Sequence, residues 1–195
     1  MLIKKTLETN LAQLNLNLLH FDSIDSTNEE AKRRAYQEQN FESVIIADTQ
    51  TNGKGRKNHK WYSESLDGLY YTICLKPTKF DFNNLYLVTK NIALLTIKVI
   101  YKITQEKIDL EWPNDLILNN KKLGGILVET ILIPFEKLPK NVIVGIGLNI
   151  NQANFPEELK HSAISLFQKS NKKYDKKDFV YQLSLELINF FKPEI

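Results

Sequence analysis

The stretch from Ile108 to Ile150 constrains the fold more than any other part of this 195-residue chain. IDLEW runs into Pro113, DLIL follows, and Asn119-Asn120 supplies residues that readily adopt a tight reversal between strands. KLGGILVETILI returns from that turn, and NVIVGIGLNI is a further buried run. A short reversal makes its flanking strands antiparallel neighbours, because a parallel pair needs a long crossover. Upstream, SVIIAD (Ser43 to Asp48) and GLYYTICLKP (Gly68 to Pro77) read as strands, the second ended by proline. Helices are expected around them. Ser26 and Thr27 precede Glu29 and Glu30 at capping-box spacing and start one that runs to about Gln39. Another runs from about Asn83 to Lys102, with Leu85, Val88, Ile92, Leu95 and Val99 as one core-facing stripe. A lysine- and leucine-rich helix from roughly Lys176 to Phe191 closes the chain. The pattern predicts an α+β fold, a mixed and largely antiparallel sheet with helices packed on it, in one domain over residues 1–195.

Composition excludes several classes. A formal charge of +3 is too small to imply nucleic acid. The longest apolar stretch, Leu85 to Ile103, is interrupted by Lys90, Lys98 and Lys102, which suits an amphipathic helix and not a membrane span. The N-terminus has early lysines but no uninterrupted apolar segment, so it is no signal peptide. Cys74, the lone cysteine, lies in the run LYYTICL and reads as a small buried hydrophobe, not a nucleophile. The expectation is a cytoplasmic protein.

Chemistry concentrates in Gln50 to Trp61, QTNGKGRKNHKW. Gly53 and Gly55 allow close backbone approach, while Lys54, Arg56, Lys57 and Lys60 form a cationic cluster without an acidic residue. The Trp61 indole offers a flat face for a base. Such a loop suits an adenine nucleotide, and by composition alone it suits a solvated surface loop equally well. It is neither a Walker A loop nor a dinucleotide fingerprint, since Asn58 stands where the third glycine is needed. Gly145-Ile146-Gly147-Leu148-Asn149-Ile150 lacks that glycine too. Trp112-Pro113-Asn114-Asp115 is a second cluster, a turn from which polar side chains emerge at the start of a strand. Gly124-Gly125 weakens the following strand and marks a close approach by ligand or backbone. Lys122, just before that pair, reads as a cation within reach of an anion there or as a solvated hairpin lysine.

In order, the chain reads DSTN, QTNGKGRKNHKW, EWPNDL, KKLGGILVE and VGIGLNIN. From about Phe21 to Asn151 this resembles the catalytic domain of the biotin protein ligases, whose patterns run DSTN, GRGRxGRxW, KWPND, K-hydrophobic-x-GILVE and GIGxNxN. The resemblance implies the fold shared by class II aminoacyl-tRNA synthetases and biotin–lipoate ligases. It also implies an ATP-dependent ligase that makes biotinyl-5′-AMP, releases pyrophosphate, and transfers biotin to a lysine of a biotin carboxyl carrier protein. By motif matching, Ser26, Thr27 and Gln50 hold the ureido ring, with Gly53, Lys54, Lys122 and Gly125 completing the biotin pocket. Arg56, Lys57, Lys60, Trp61, Asn114, Lys122 and Asn149 match the ATP and adenylate positions. Lys122, Arg56 and Asp115 match catalytic positions, with Asp115 nearest to Mg²⁺, and the basic loop acts as a lid. Partners implied are biotin, ATP and the carrier protein, without nucleic acid or membrane; the family often forms homodimers.

Departures from the pattern carry expectations of their own. Lys54 and His59 replace arginines, Asn58 replaces a glycine, and Glu111 replaces the lysine before WPND. A carboxylate at Glu111 predicts weaker ATP binding. The short stretch before DSTN leaves no room for an N-terminal helix-turn-helix, and a C-terminal small β-barrel is expected to be absent or strongly shortened. The alternatives are a lipoate-type ligase of the same fold and a non-catalytic binder of biotin or biotinyl-adenylate.

Overall fold

A computed structural model describes residues 2–78, 80 and 84–193. The expected helix start at Asn83 lies outside the described residues, as does the side chain of Asn58. In chain order the elements are α1 (Leu2–Ala12), β1 (Asn17–Ile24), α2 (Thr27–Gln37), β2 (Ser43–Gln50), β3 (Leu69–Leu75), α3 (Leu85–Thr104), β4 (Asp109–Glu111), β5 (Asp115–Leu118), β6 (Lys121–Ile131), β7 (Asn141–Leu148), α4 (Leu166–Ser170) and α5 (Lys176–Phe191). The strands form one seven-stranded sheet in the order β1-β2-β3-β7-β6-β5-β4. Only β1 and β2 pair in parallel, because α2 carries the chain across between them; the remaining pairs are antiparallel. Asn119 and Asn120 both take left-handed backbone angles, φ 51° and 59°, and close the predicted β5–β6 hairpin.

The two faces of the sheet are covered unequally. In β7, Val142, Val144, Ile146 and Leu148 point into the main core beneath α1, α3 and α5, with Ile92, Ile100, Phe179 and Leu183 among their buried neighbours. Truncating one of these buried aliphatic side chains to alanine removes about 2–5 kcal/mol. Alternate residues face the other side, where Ala31 and Ala35 of α2 join Ile45, Cys74 and Ile143 in a smaller cluster. Two glycines of β7, Gly145 and Gly147, continue that second face past the cluster and leave it without side-chain bulk.

Several details depart from the sequence expectations. The buried face of α3 holds Val88, Thr89, Ile92, Ala93, Thr96, Val99 and Ile100. Leu85 belongs to that face but occupies the first helical position, before the helix meets the core, and is 41% exposed. Leu95 lies at the margin of the stripe and is half-buried. β2 extends to Gln50, and α2 ends at Gln37. Ser26 is the N-cap of α2 but makes no side-chain capping bond; its N–H is taken by the Asp25 carboxylate at 2.7 Å. The edge strand β1, with an irregular burial pattern, has no sequence counterpart among the expectations. No helix of the described residues is long and apolar enough to cross a membrane.

Candidate functional site

A cavity of about 240 Å³ opens on the second face of the sheet, between the start of α2, the β5–β6 hairpin and the loop after β2. The first wall is built from DSTN. Ser26, Thr27 and Asn28 are all buried at the start of α2. The Thr27 amide and hydroxyl both donate to Gln50 Oε1, at 2.9 and 3.1 Å. Gln50 Nε2 in turn donates to Ser63 Oγ at 2.9 Å, and that hydroxyl donates to the Trp61 carbonyl. Such a chain fixes the orientation of the Gln50 amide, and an oriented buried amide selects ligands by leaving mismatched groups unpaired. Asn28 Nδ2 donates to Glu129 at 2.9 Å while its Oδ1 accepts from Thr72 Oγ1 at 2.6 Å. A methyl group on Gly145 would overlap the Asn28 amide. Asn28, Ser63 and Thr72 were not among the sequence candidates; only the last letter of DSTN pointed toward one of them.

The second wall is the hairpin. Lys122 Nζ donates to Asp115 Oδ2 at 2.6 Å, and Asn114 Nδ2 donates to Asp115 Oδ1 at 2.9 Å. Lys122 is therefore not a free hairpin lysine. Its main chain is held as well: the amide donates to the Ser162 carbonyl, and its own carbonyl accepts from Ile164. Asn149 donates to that same carbonyl at 3.3 Å and accepts from Gln152. Asn149 thus stands behind Lys122 and outside the cavity lining, where it braces the lysine's backbone.

The loop after β2 forms the roof. Gly55 N–H bonds to the His59 carbonyl at 2.7 Å and Trp61 N–H to the Gly53 carbonyl at 2.9 Å, so the tip is a compact hairpin. Lys57 takes a left-handed conformation at its apex, φ 53°. Gly53 lies at the neck of the loop, also outside the lining; a Cβ there would overlap Ser63 Oγ and come within 2.7 Å of the Trp61 carbonyl. Lys54 pairs with Glu29 at 2.6 Å, which ties the loop to α2. Burial alone would raise the Glu29 carboxyl, but hydrogen bonds from Lys32 and Lys54 outweigh it and hold it below its ordinary value. Arg56 reaches across the opening and donates to Asn114 Oδ1 at 2.8 Å. Lys57 and Lys60 line the rim with exposed side chains.

Trp61 lies flat over the glycine floor. Gly125 and Gly147 face each other across β6 and β7, and a Cβ on Gly147 would come within 2.5 Å of the indole. The Lys122 ammonium sits 5.6 Å from the ring centroid. Trp61 Nε1 is buried with no hydrogen-bond partner among the described residues. A buried donor of that kind is unstable unless a ligand or water can meet it.

Two expectations are qualified by these positions. Glu111 pairs with Asp115 across β4 and β5, but its side chain is exposed and outside the cavity lining. Its carboxylate meets solvent, so the repulsion expected on ATP is screened. Cys74 is fully buried and its thiol is pushed up to about 12 by burial, so it is no nucleophile. Among the described residues no group of three or more His, Cys, Asp or Glu side chains could hold a metal by itself.

Residues 20–149 match the Biotin/lipoate A/B protein ligase family. The bifunctional ligase/repressor BirA of Bacillus subtilis is 32% identical over 171 residues, covering 87% of this chain and 52% of BirA. The biotin–[acetyl-CoA-carboxylase] ligase of Mycobacterium tuberculosis is 30% identical over 145 residues, 72% of this chain and 51% of that protein. The chain thus spans about half the length of these curated relatives. Among solved structures, the biotin protein ligase from Aquifex aeolicus in complex with biotin and ATP superposes with a TM-score of 0.73 at 33% identity, covering 90% of this chain and 72% of that one. The mixed sheet, the glycine floor under Trp61 and the sequence match agree, and the chain belongs to the Biotin/lipoate A/B protein ligase family.

Proposed function

We propose that this chain activates biotin with ATP and transfers the biotinyl group to a lysine of a biotin carboxyl carrier protein. The observation that carries the reading is the line of contacts Arg56–Asn114–Asp115–Lys122 along one cavity whose opposite wall is the oriented Thr27–Gln50 pair. Relatives named as biotin ligases, and an Aquifex structure holding both biotin and ATP, support it. In the first step a biotin carboxylate oxygen attacks the α-phosphorus, the bond to the β-phosphate breaks, and pyrophosphate leaves. In the second, a carrier amine attacks the acyl carbon, AMP leaves, and an amide forms with loss of a proton.

The side chains divide this work by their chemistry. Ser26, Thr27 and Gln50 offer donors and acceptors for the ureido ring, and the absence of side chains on Gly125 and Gly147 lets the Trp61 indole lie against the sheet beside them. Bringing a carboxylate to an anionic phosphate meets a repulsion of about 4 kcal/mol at ~4 Å and an effective dielectric of 20. The Lys122 ammonium offsets it, passing from Asp115 to the two ligand anions. Arg56, Lys57 and Lys60 supply further positive charge at the roof, and Trp61 a face for adenine. Mg²⁺ accompanying the ATP phosphates would offset their negative charge. Asp115, the one carboxylate in the cavity lining, would hold such an ion, which takes few protein ligands and keeps several waters. The buried, unreactive Cys74 fits a reducing, cytoplasmic setting.

The test is biotin-dependent pyrophosphate release from ATP, followed by label transfer to a carrier fragment, run in parallel with lipoate. Release and transfer with biotin alone are expected. Tight biotin binding without release would leave a non-catalytic binder, and preference for lipoate would move the chain to the lipoate branch of the family.

A further inference from the structure

The lid touches the far side of the cavity through Arg56, and more than one group receives it there. Besides donating to Asn114, the guanidinium lies over the ring of Tyr86, its Cζ 5.5 Å from the centroid. Tyr86 is the second residue of α3, and its ring stacks on Trp112 with centroids 5.5 Å apart and planes 20° from parallel. Trp112 and Asn114 belong to one turn, so that turn both accepts the Arg56 hydrogen bond and backs the ring beneath the guanidinium. Neither ring serves the core: Tyr86 is 55% and Trp112 60% exposed. Neither lines the cavity either. Their geometry fits a receptor for a planar cation, since a guanidinium that donates in its plane still presents its face to a π-system.

We propose that Tyr86, backed by Trp112, is the catch that holds the lid arginine over the cavity, and that it sets how long a reactive acyl-adenylate is retained. The retention half rests on the function proposed above; the catch itself does not. The Asn114 bond alone is a single contact to a neutral acceptor at a half-exposed site. Adding a ring face shifts the balance of closed over open lid by roughly two- to fivefold at such exposure. A mixed anhydride is lost to water whenever the lid opens, so that factor passes directly into the hydrolytic leak. Tyr86 is a positioning residue: it acts through Arg56 and touches neither substrate.

The experiment uses Tyr86→Ala, Tyr86→Leu and Tyr86→Phe in the full chain. Leucine keeps apolar bulk without a π-face, and phenylalanine keeps the face without the hydroxyl. In ligand-free protein, tryptic cleavage after Lys54, Arg56, Lys57 and Lys60 is followed by mass spectrometry. It should accelerate roughly two- to fivefold in the alanine and leucine variants and stay at the wild-type rate in the phenylalanine variant. With biotin, ATP and carrier present, pyrophosphate released per biotin transferred should rise by a similar factor in the same two variants. Equal melting temperatures exclude a folding defect, and Trp112→Ala should move both readouts in the same direction. Wild-type protection of the loop in Tyr86→Leu, or cleavage of Tyr86→Phe as fast as of Tyr86→Ala, overturns the catch. If cleavage responds as expected but the wild-type protein releases no pyrophosphate, the catch stands and the adenylate role falls.

Discussion

Two glycines on one face of β7 provide a paired test of how the site is built. Gly145 and Gly147 both face the cavity, and neither has a positive φ, so the backbone at each accepts alanine. On the backbone alone the substitution stabilises by about 0.4–1 kcal/mol through the unfolded chain. The new methyl meets different neighbours. At position 145 it overlaps the amide of Asn28, which is buried and held by Thr72 and Glu129. Relief means overpacking, about 1–3 kcal/mol, or breaking a buried hydrogen bond at about 1–3 kcal/mol. Gly145→Ala should therefore lose about 1–2 kcal/mol net, a fall in Tm of roughly 2–8 °C for a domain of this size. At position 147 the methyl comes within 2.5 Å of the Trp61 indole, which hangs from a loop and can lift. Gly147→Ala should keep stability within about 1 kcal/mol, since lifting the ring relieves most of the overpacking. It should instead weaken biotin binding by displacing the ring that lines the cavity, about tenfold for roughly 1.4 kcal/mol. Differential scanning calorimetry and a biotin titration by tryptophan fluorescence provide the two measurements. Equal stability losses for the two variants, or normal biotin affinity in Gly147→Ala, would refute the distinction between a locked amide and a movable indole.

Further outcomes follow from the same geometry. Lys122→Met should lower the rate of adenylate formation about a hundred- to a thousandfold, with biotin affinity much less affected, as measured by single-turnover pyrophosphate release. Glu111→Lys should change the KM for ATP by no more than about threefold at physiological salt, because the side chain is exposed and outside the cavity; a tenfold gain would place it against the phosphates. The Asp25 carboxyl is held down to about 2, chiefly by hydrogen bonds from Arg33 and against the opposing effect of burial. Its folded-state value lies below the unfolded one, so the stabilisation is present above about pH 4 and is lost as pH falls toward 2. Both side chains are nearly half exposed, so the contribution is under about 1 kcal/mol. Arg33→Ala should flatten the stability curve in that window, lowering stability near pH 7 by that small amount and leaving it unchanged near pH 2; a persisting acid limb of equal size would assign it to other carboxylates.

Local patterns explain what was readable in advance. Asn119-Asn120 announced the hairpin because the backbone conformation of a tight reversal restricts residue choice. The stripe from Val88 to Val99 announced α3 because a helix on a sheet repeats its buried side every three or four residues. β1 left no such trace. It is an edge strand with His20 and Asp22 among its residues, and its neighbour β2 supplies much of the apolar surface of that pair. Ser26 does stand at the N-cap of α2, but it forms no side-chain capping bond, and the Thr27 amide beside it is taken by Gln50, 23 residues further on.

The ordered motifs by themselves determined the family, the α+β class and most of the residues that meet in the cavity. Glycines, a basic loop and a paired lysine and aspartate must occur at particular places along the chain for such a site to exist. Only the tertiary structure decided how those residues are held. It placed Asn149 behind Lys122, Gly53 at the neck of the lid, Glu111 outside the cavity, and Tyr86 under Arg56. The Asn149 and Tyr86 placements depend on contacts between segments far apart in sequence, where only three-dimensional packing selects the partner.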